Sequence, residues 1–352
     1  MIVETSRPET PIMSMTFAVL GDGAWGTAIA LLLAQDATHR VRLWSARREN
    51  GLLLARHREN VHLLPGIPIP PAVELTLDIR RAVAGADVWV SAIPTAYLRT
   101  TLVRIVGELG ADAAPGVPVV SLSKGIENGT FRRPSEILTE ILGVERVAVL
   151  SGPSHAEEVS RGLPTSVVAA SYDPELAGLV QRHFGTGLFR VYTNLDPVGV
   201  EMAGALKNVI AIAAGACEAL GFGDNALAAL ITRGLAEMMR FGVAHGAEAS
   251  TFAGLAGLGD LVTTCTSKHG RNRAVGRRLA QGEKLAKIRA SMNNKVAEGV
   301  STARAVHERG ALMGLELPIT EQVYLVLYED KHPRDAVNDL MLRKLKGERW
   351  PS

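Results

Sequence analysis

Residues 19–34 read "VLGDGAWGTAIALLLA", and three glycines in this stretch decide the fold. Gly21, Gly23 and Gly26 keep the G-x-G-x-x-G spacing that turns a strand tightly into a helix and lets the backbone pass close to a pyrophosphate. The apolar run at 17–20 predicts the strand. Residues 25–34 predict the helix, whose first amides would face a bound anion. A glycine turn without a ligand is the plain alternative, and the order strand, glycines, helix favours dinucleotide binding.

Working outward, β-rich runs alternate with helix-period segments. They begin with "FAVLG" at 17, "RVRLWS" at 40, "DVWVSAIP" at 87 and "VPVVSLSKG" at 117, and continue with "RVAVLSGP" at 146, "SVVAAS" at 166 and "LFRVY" at 188. Several are apolar on both faces, as strands covered by helices on both sides must be. The alternation predicts an α/β fold: an N-terminal Rossmann-type, mostly parallel sheet. Past about residue 195 no further strand is expected. Helix-period stretches fill 201–220, 225–246, 272–282 and 318–328, predicting a C-terminal all-helical domain. With 352 residues the chain exceeds what one core holds. The expected division is a flexible tail at 1–14, a dinucleotide-binding domain at 15–200, a helical substrate domain at 201–345 and a tail at 346–352.

Lys and Arg number 38 against 36 Asp and Glu, and the resulting net charge of +2 is too small for the broad basic field that nucleic-acid binding needs. Two cysteines, Cys217 and Cys265, make no disulfide framework and suit a reducing cytoplasm; no metal-ligand spacing occurs. Residues 1–14 lack the apolar segment of a signal peptide. The apolar stretch 209–220 is shorter than the roughly 20 residues that span a bilayer, so no integral membrane segment is expected.

Five places carry candidate chemistry. After the second strand, where NAD-selective folds commonly set an acid, the chain reads "LWSARREN"; Arg47 and Arg48 suit a 2′-phosphate and lean toward NADP, or are solvated arginines opening a helix. Lys124 follows a strand in "SLSKGIENG", and Ser154 and Glu157 in "LSGPSHAEEV" have capping-box spacing at the same sheet edge. Lys207 shares its helix face with Ala203, Ile210, Ala211, Ala214 and Gly215. It either snorkels to water or, desolvated, becomes a general acid or base near neutral pH. In "AGLGDLVTTCTSKHGRNRAVG", Asp260 follows a glycine-rich turn, and Arg271 and Asn272 open a helix after Gly270, a phosphate site or a polar interdomain loop.

With these residues together, the chain resembles the NAD(P)-dependent glycerol-3-phosphate dehydrogenase family in its bacterial form. The matching motifs run in order from about residue 15 to 345. They are "GDGAWGTA", "SLSKGIE", "LSGPSHAEEV", "FRVYTN", "GALKNVIAIAAG", "ALITRGLAEM", "AGLGDLVTTCTS", "GRNR", "VAEGVST" and "LPITEQVY". The resemblance implies reversible hydride transfer between NAD(P)H and dihydroxyacetone phosphate, serving phospholipid synthesis, with Lys207 as the proton-transferring residue. It implies cofactor contacts at Ala24, Trp25, Arg47, Lys124, Ala156, Arg271, Val296 and Glu298. Substrate contacts are implied at Lys124, Gly152, Ser154, Lys207, Asp260, Gly270, Arg271 and Asn272. The family suggests a homodimer.

Three positions depart from the pattern. The family often has Ser at the places of Ala24 and Gly270 and His at the place of Ala46, which removes side-chain contacts and leaves more of the cofactor choice to Arg47 and Arg48. Three rival readings stand beside this one. They are a Rossmann dehydrogenase of hydroxyacids or sugar acids, His155 as the acid, and a non-catalytic NAD(P)H sensor.

Overall fold

The computed structural model describes residues 14–110, 116–267, 270–292, 297–345 and 347–348. The expected leading tail therefore lies almost wholly outside the described residues, as do five residues of the expected trailing one.

The first half of the chain supplies the strands β1 (Thr16–Leu20), β2 (Arg40–Trp44), β3 (Glu59–Asn60), β4 (Leu64–Pro68), β5 (Val73–Thr76), β6 (Val88–Ser91), β7 (Val119–Ser121), β8 (Val147–Ser151), β9 (Thr165–Ala170) and β10 (Phe189–Asn194). Eight of these form one sheet in the order β10-β9-β8-β7-β6-β1-β2-β5, while β3 and β4 pair separately as an antiparallel hairpin. Alternate residues of β1 enter different cores: Phe17 and Val19 pack on one face of the sheet, Ala18 and Leu20 on the other. Both sets are buried, the mark of a strand covered on two sides.

All pairings in the large sheet are parallel except β8 with β9. The exception follows from the connection. The helix Ala156–Val159 has four residues, about 6 Å of rise, too little to carry the chain back along β8. The helix Pro174–Phe184 between β9 and β10 is long enough, and that pair is parallel again.

Among the described residues no strand follows Asn194. The chain enters the helix Pro197–Ala219, whose cap is the Asp196 carboxylate, accepting from the Gly199 amide at 2.7 Å. This central helix is the axis of the second core, with the helices Asp224–Val243, Arg271–Ala280 and Glu298–Leu312 around it. Its close contact with Arg271–Ala280 requires small residues: a Cβ at Gly215 would meet the Arg273 carbonyl oxygen at 1.9 Å, and one at Gly276 the Ile212 oxygen at 1.8 Å. The helix has 23 residues, so the length argument applied to 209–220 does not hold for the whole element. Burial carries the point instead, since 89% of its most apolar window lies inside the protein.

Candidate functional site

At the end of β1 the three glycines play separate parts. Gly21 has φ +119°, and a Cβ there would meet the Ala92 carbonyl oxygen at 2.9 Å; at Gly26 a Cβ would stand 2.0 Å from the Gly21 oxygen. Those two allow the turn and the close seat of the helix Ala24–Leu33. Around Gly23 no atom lies within 4 Å of such a Cβ, so the backbone is open on that side. Gly23 also caps the helix with no side-chain bond, which leaves the first amides for an anion. This open, uncapped turn fits a dinucleotide pyrophosphate.

Of the expected cofactor residues, Ala24 and Trp25 follow Gly23 directly. Both pack with Ala156 in one small apolar cluster, bringing together the starts of two helices, at Ala24 and Ala156, that are far apart in sequence. Arg47 and Arg48 are exposed past β2, and the Arg47 guanidinium lies 5.9 Å from the centre of the Tyr97 ring. Val296 lies outside the described residues. Glu298 starts the helix Glu298–Leu312; burial raises its carboxyl despite the opposing pull of Arg271, Lys124 and Lys207.

Consecutive strands β8, β7, β6 and β1 deliver their C-terminal ends to one edge. There Lys124, just past β7, donates to the Gly152 carbonyl oxygen at 2.9 Å, reaches Ser154 Oγ at 3.5 Å and pairs with Asp260 Oδ2 at 2.7 Å. Ser154 itself donates to the Gly152 oxygen at 2.9 Å. The expected capping box is therefore not formed: the short helix is capped at His155 without a side-chain bond, because Ser154 is turned toward Lys124.

Asp260 faces Lys207 with its other oxygen. Lys207 Nζ donates to Asp260 Oδ1 at 2.5 Å and to Thr264 Oγ1 at 2.7 Å. One carboxylate thus bridges two lysines, one from the sheet and one from the helical core. The glycine-rich turn expected before Asp260 is a π-helical turn, Leu255–Gly259, running directly into the helix Asp260–Thr266. Such turns recur at functional sites, where they re-aim a helix.

Burial dominates the electrostatics. Lys207 is 6% exposed, and desolvation drives its ammonium down to about 8; Asp260 pulls it back up, while Lys124 pushes it further down. Burial alone would raise the Asp260 carboxyl, but the two lysines outweigh it and hold it below the usual range. His155 is held toward its neutral form, by burial first and then by the charge of Lys207. The lysine does not snorkel.

Gly270 and Arg271 stand at the start of Arg271–Ala280, with Arg271 exposed and no side-chain cap on the helix. Asn272 is buried and engaged: its Nδ2 donates to Asn208 Oδ1 at 2.8 Å, and its Oδ1 accepts from the Gly299 amide at 3.0 Å. Asn208 and the pairing of Thr264 with Lys207 escape a reading of the sequence. A polar residue beside a buried lysine on an apolar helix was the available signal for the first. A second missed feature is a row of buried hydroxyls, Ser91, Ser121 and Ser151, which end β6, β7 and β8 without a hydrogen-bond partner among the described residues. The repeated strand endings "VWVS", "VVS" and "VAVLS" show it in the sequence. Cys217 and Cys265 are free thiols.

Two family models match: the N-terminus of NAD-dependent glycerol-3-phosphate dehydrogenase over residues 16–177, and the C-terminus of the same family over 196–338. The chain is 48% identical over 339 residues to a glycerol-3-phosphate dehydrogenase (NAD(P)+) of Chlorobium phaeobacteroides, covering 96% of this chain and 100% of that one. To the enzyme of the same name from Geobacillus thermodenitrificans it is 50% identical over 333 residues, 94% of this chain and 95% of the other. The crystal structure of a glycerol-3-phosphate dehydrogenase from Coxiella burnetii superimposes with a TM-score of 0.87 at 35% identity, covering 94% of this chain and 99% of that one. The chain belongs to the NAD(P)-dependent glycerol-3-phosphate dehydrogenase family and is an oxidoreductase.

Proposed function

We propose that this member of the family catalyses the reversible reduction of dihydroxyacetone phosphate to sn-glycerol 3-phosphate in the cytoplasm, as a step toward glycerophospholipids, with Lys207 as proton donor. The observation that carries the reading is the buried Lys207 whose ammonium is brought down to about 8 while paired with Asp260. Such a group gives and takes a proton readily near neutral pH.

NAD(P)H bound at the glycine turn supplies the hydride. As the ketone oxygen gains negative charge, Lys207 transfers a proton from Nζ to it and is left as the neutral amine. Asp260 stays ionised, aims Nζ through the 2.5 Å bond and offsets the second positive charge at Lys124. Lys124, Gly152 and Ser154 form the adjoining wall on the substrate. Arg271, together with the open amides after Gly270, is suited to the substrate phosphate, whose binding aligns the carbonyl. Asn272 ties that helix start to Asn208 and Gly299 and keeps one further Nδ2 hydrogen for an oxygen.

Exposed Arg47 and Arg48 support a preference for NADPH over NADH. The test is the oxidation of each cofactor by the purified protein on adding dihydroxyacetone phosphate. Phosphate-dependent turnover is the expected result, and silence from a protein that binds NADPH would overturn the substrate assignment. Sedimentation of the same sample tests the homodimer suggested by the family.

A further inference from the structure

Rossmann folds selective for NAD commonly place an acid at the end of the second strand, about 20 residues past the glycines, where it accepts from the adenosine ribose hydroxyls. In this chain the first residue beyond β2 is Ser45, and a carboxylate reaches the same point from the other direction. Asp22, between Gly21 and Gly23, lies 9% exposed with Oδ2 accepting from Ser45 Oγ at 2.5 Å and from Asn50 Nδ2 at 2.9 Å. Its backbone is clamped as well. Asn60 of β3 donates to the Asp22 carbonyl oxygen at 2.9 Å and to Thr27 Oγ1 at 3.0 Å. Oδ1 has no hydrogen-bond partner among the described residues.

We propose that Asp22 is a cofactor-specificity residue: it takes the place of the missing strand-end acid, accepts from the ribose hydroxyls of NADH and repels the 2′-phosphate of NADPH. It opposes Arg47 and Arg48, which begin two positions beyond its partner Ser45. One strand end therefore carries both signs, and the balance between them sets how far the enzyme distinguishes the two cofactors. This inference rests on the dinucleotide reading of the glycine turn.

The test measures binding without substrate. Calorimetric titration with NADH and NADPH, and with 5′-ADP and 2′,5′-ADP as fragments, is run on the native protein and on Asp22→Asn. The amide is the same shape and its oxygen can still accept from Ser45 and Asn50, while its nitrogen puts a donor where Oδ1 stood, so the charge and the acceptor offered to the ribose are removed together. The Kd ratio of NADH to NADPH should rise about tenfold, in step with the fragment pair. A ratio within about twofold of the native one would overturn the proposal.

Should Asp22→Asn fail to fold, the double variant Arg47→Ala/Arg48→Ala changes exposed side chains only. With Asp22 left unopposed it should bind NADH more tightly than NADPH, and a retained NADPH preference would overturn the proposal. A native protein that binds both nucleotides without reducing dihydroxyacetone phosphate breaks the substrate reading while leaving this test intact. One that binds neither overturns both.

Discussion

The two parts of the candidate site are built on different plans. At the glycine turn the chemistry is backbone: Gly21, Gly23 and Gly26 lie within six consecutive residues, and what they offer is space and amides. At the lysine end it is mostly side chain. Lys124, Lys207, Asp260 and Thr264 come from three separate segments, and their use depends on a carboxylate held between two cations. A site of the first kind is set by local conformation, one of the second by tertiary packing.

The largest effect is expected at Lys207. Lys207→Ala should lower kcat for dihydroxyacetone phosphate reduction about 1,000-fold while NADPH titrates with an unchanged Kd, since the general acid is removed and the glycine turn is not. Loss of NADPH binding in that variant would mean that the two ends are not separable.

Asp260→Asn comes next. It leaves two ammonium groups facing each other without a countercharge, so kcat should fall about 100-fold. The pH profile should move to lower pH as the Lys207 ammonium drops below about 8. A profile that stays in place would show that Asp260 acts through packing alone.

A gentler probe is pH itself. The reduction consumes the ammonium form, so its rate should fall about tenfold between pH 7 and pH 9 as Lys207 deprotonates around 8. Oxidation of glycerol 3-phosphate needs the free amine and should rise over the same range. Parallel profiles in both directions would remove Lys207 from the proton transfer.

The smallest expected effect is at the other end. Gly23→Ala places a methyl where no protein atom lies within 4 Å, so Tm should hold while NADPH Kd weakens about fivefold. A fall in Tm with Kd unchanged would mean that Gly23 serves the fold and not the ligand.

The same contrast explains what could be read from the amino acids. The glycine turn and the seven apolar runs were legible because period and spacing are local properties. β5 was not, since "VELT" is a short edge strand with one buried residue. The β4 segment "LPGIP" carries two prolines and a glycine, which argue against a strand anywhere but in an isolated hairpin. The direction of β9 was hidden in the length of a four-residue helix. At the site, the apolar face around Lys207 pointed to its burial. Its partner Asp260 is 53 positions away, and nothing local says that one carboxylate meets two lysines. Asn272 shows the converse: its place at a helix start reads as open to phosphate, yet its amide is engaged with Asn208 and Gly299.

Lys124 belongs to the sheet, whereas Asp260 and Lys207 belong to the helical core, so the bridge of one carboxylate and two lysines is also a fastening across the molecule. Chemistry and cohesion share the same three side chains. A slight parting of the halves would unmake the catalyst before either core had lost a helix or a strand. On warming, the enzyme should therefore fall silent several degrees before its far-ultraviolet signal melts, and cooling from that interval should restore it.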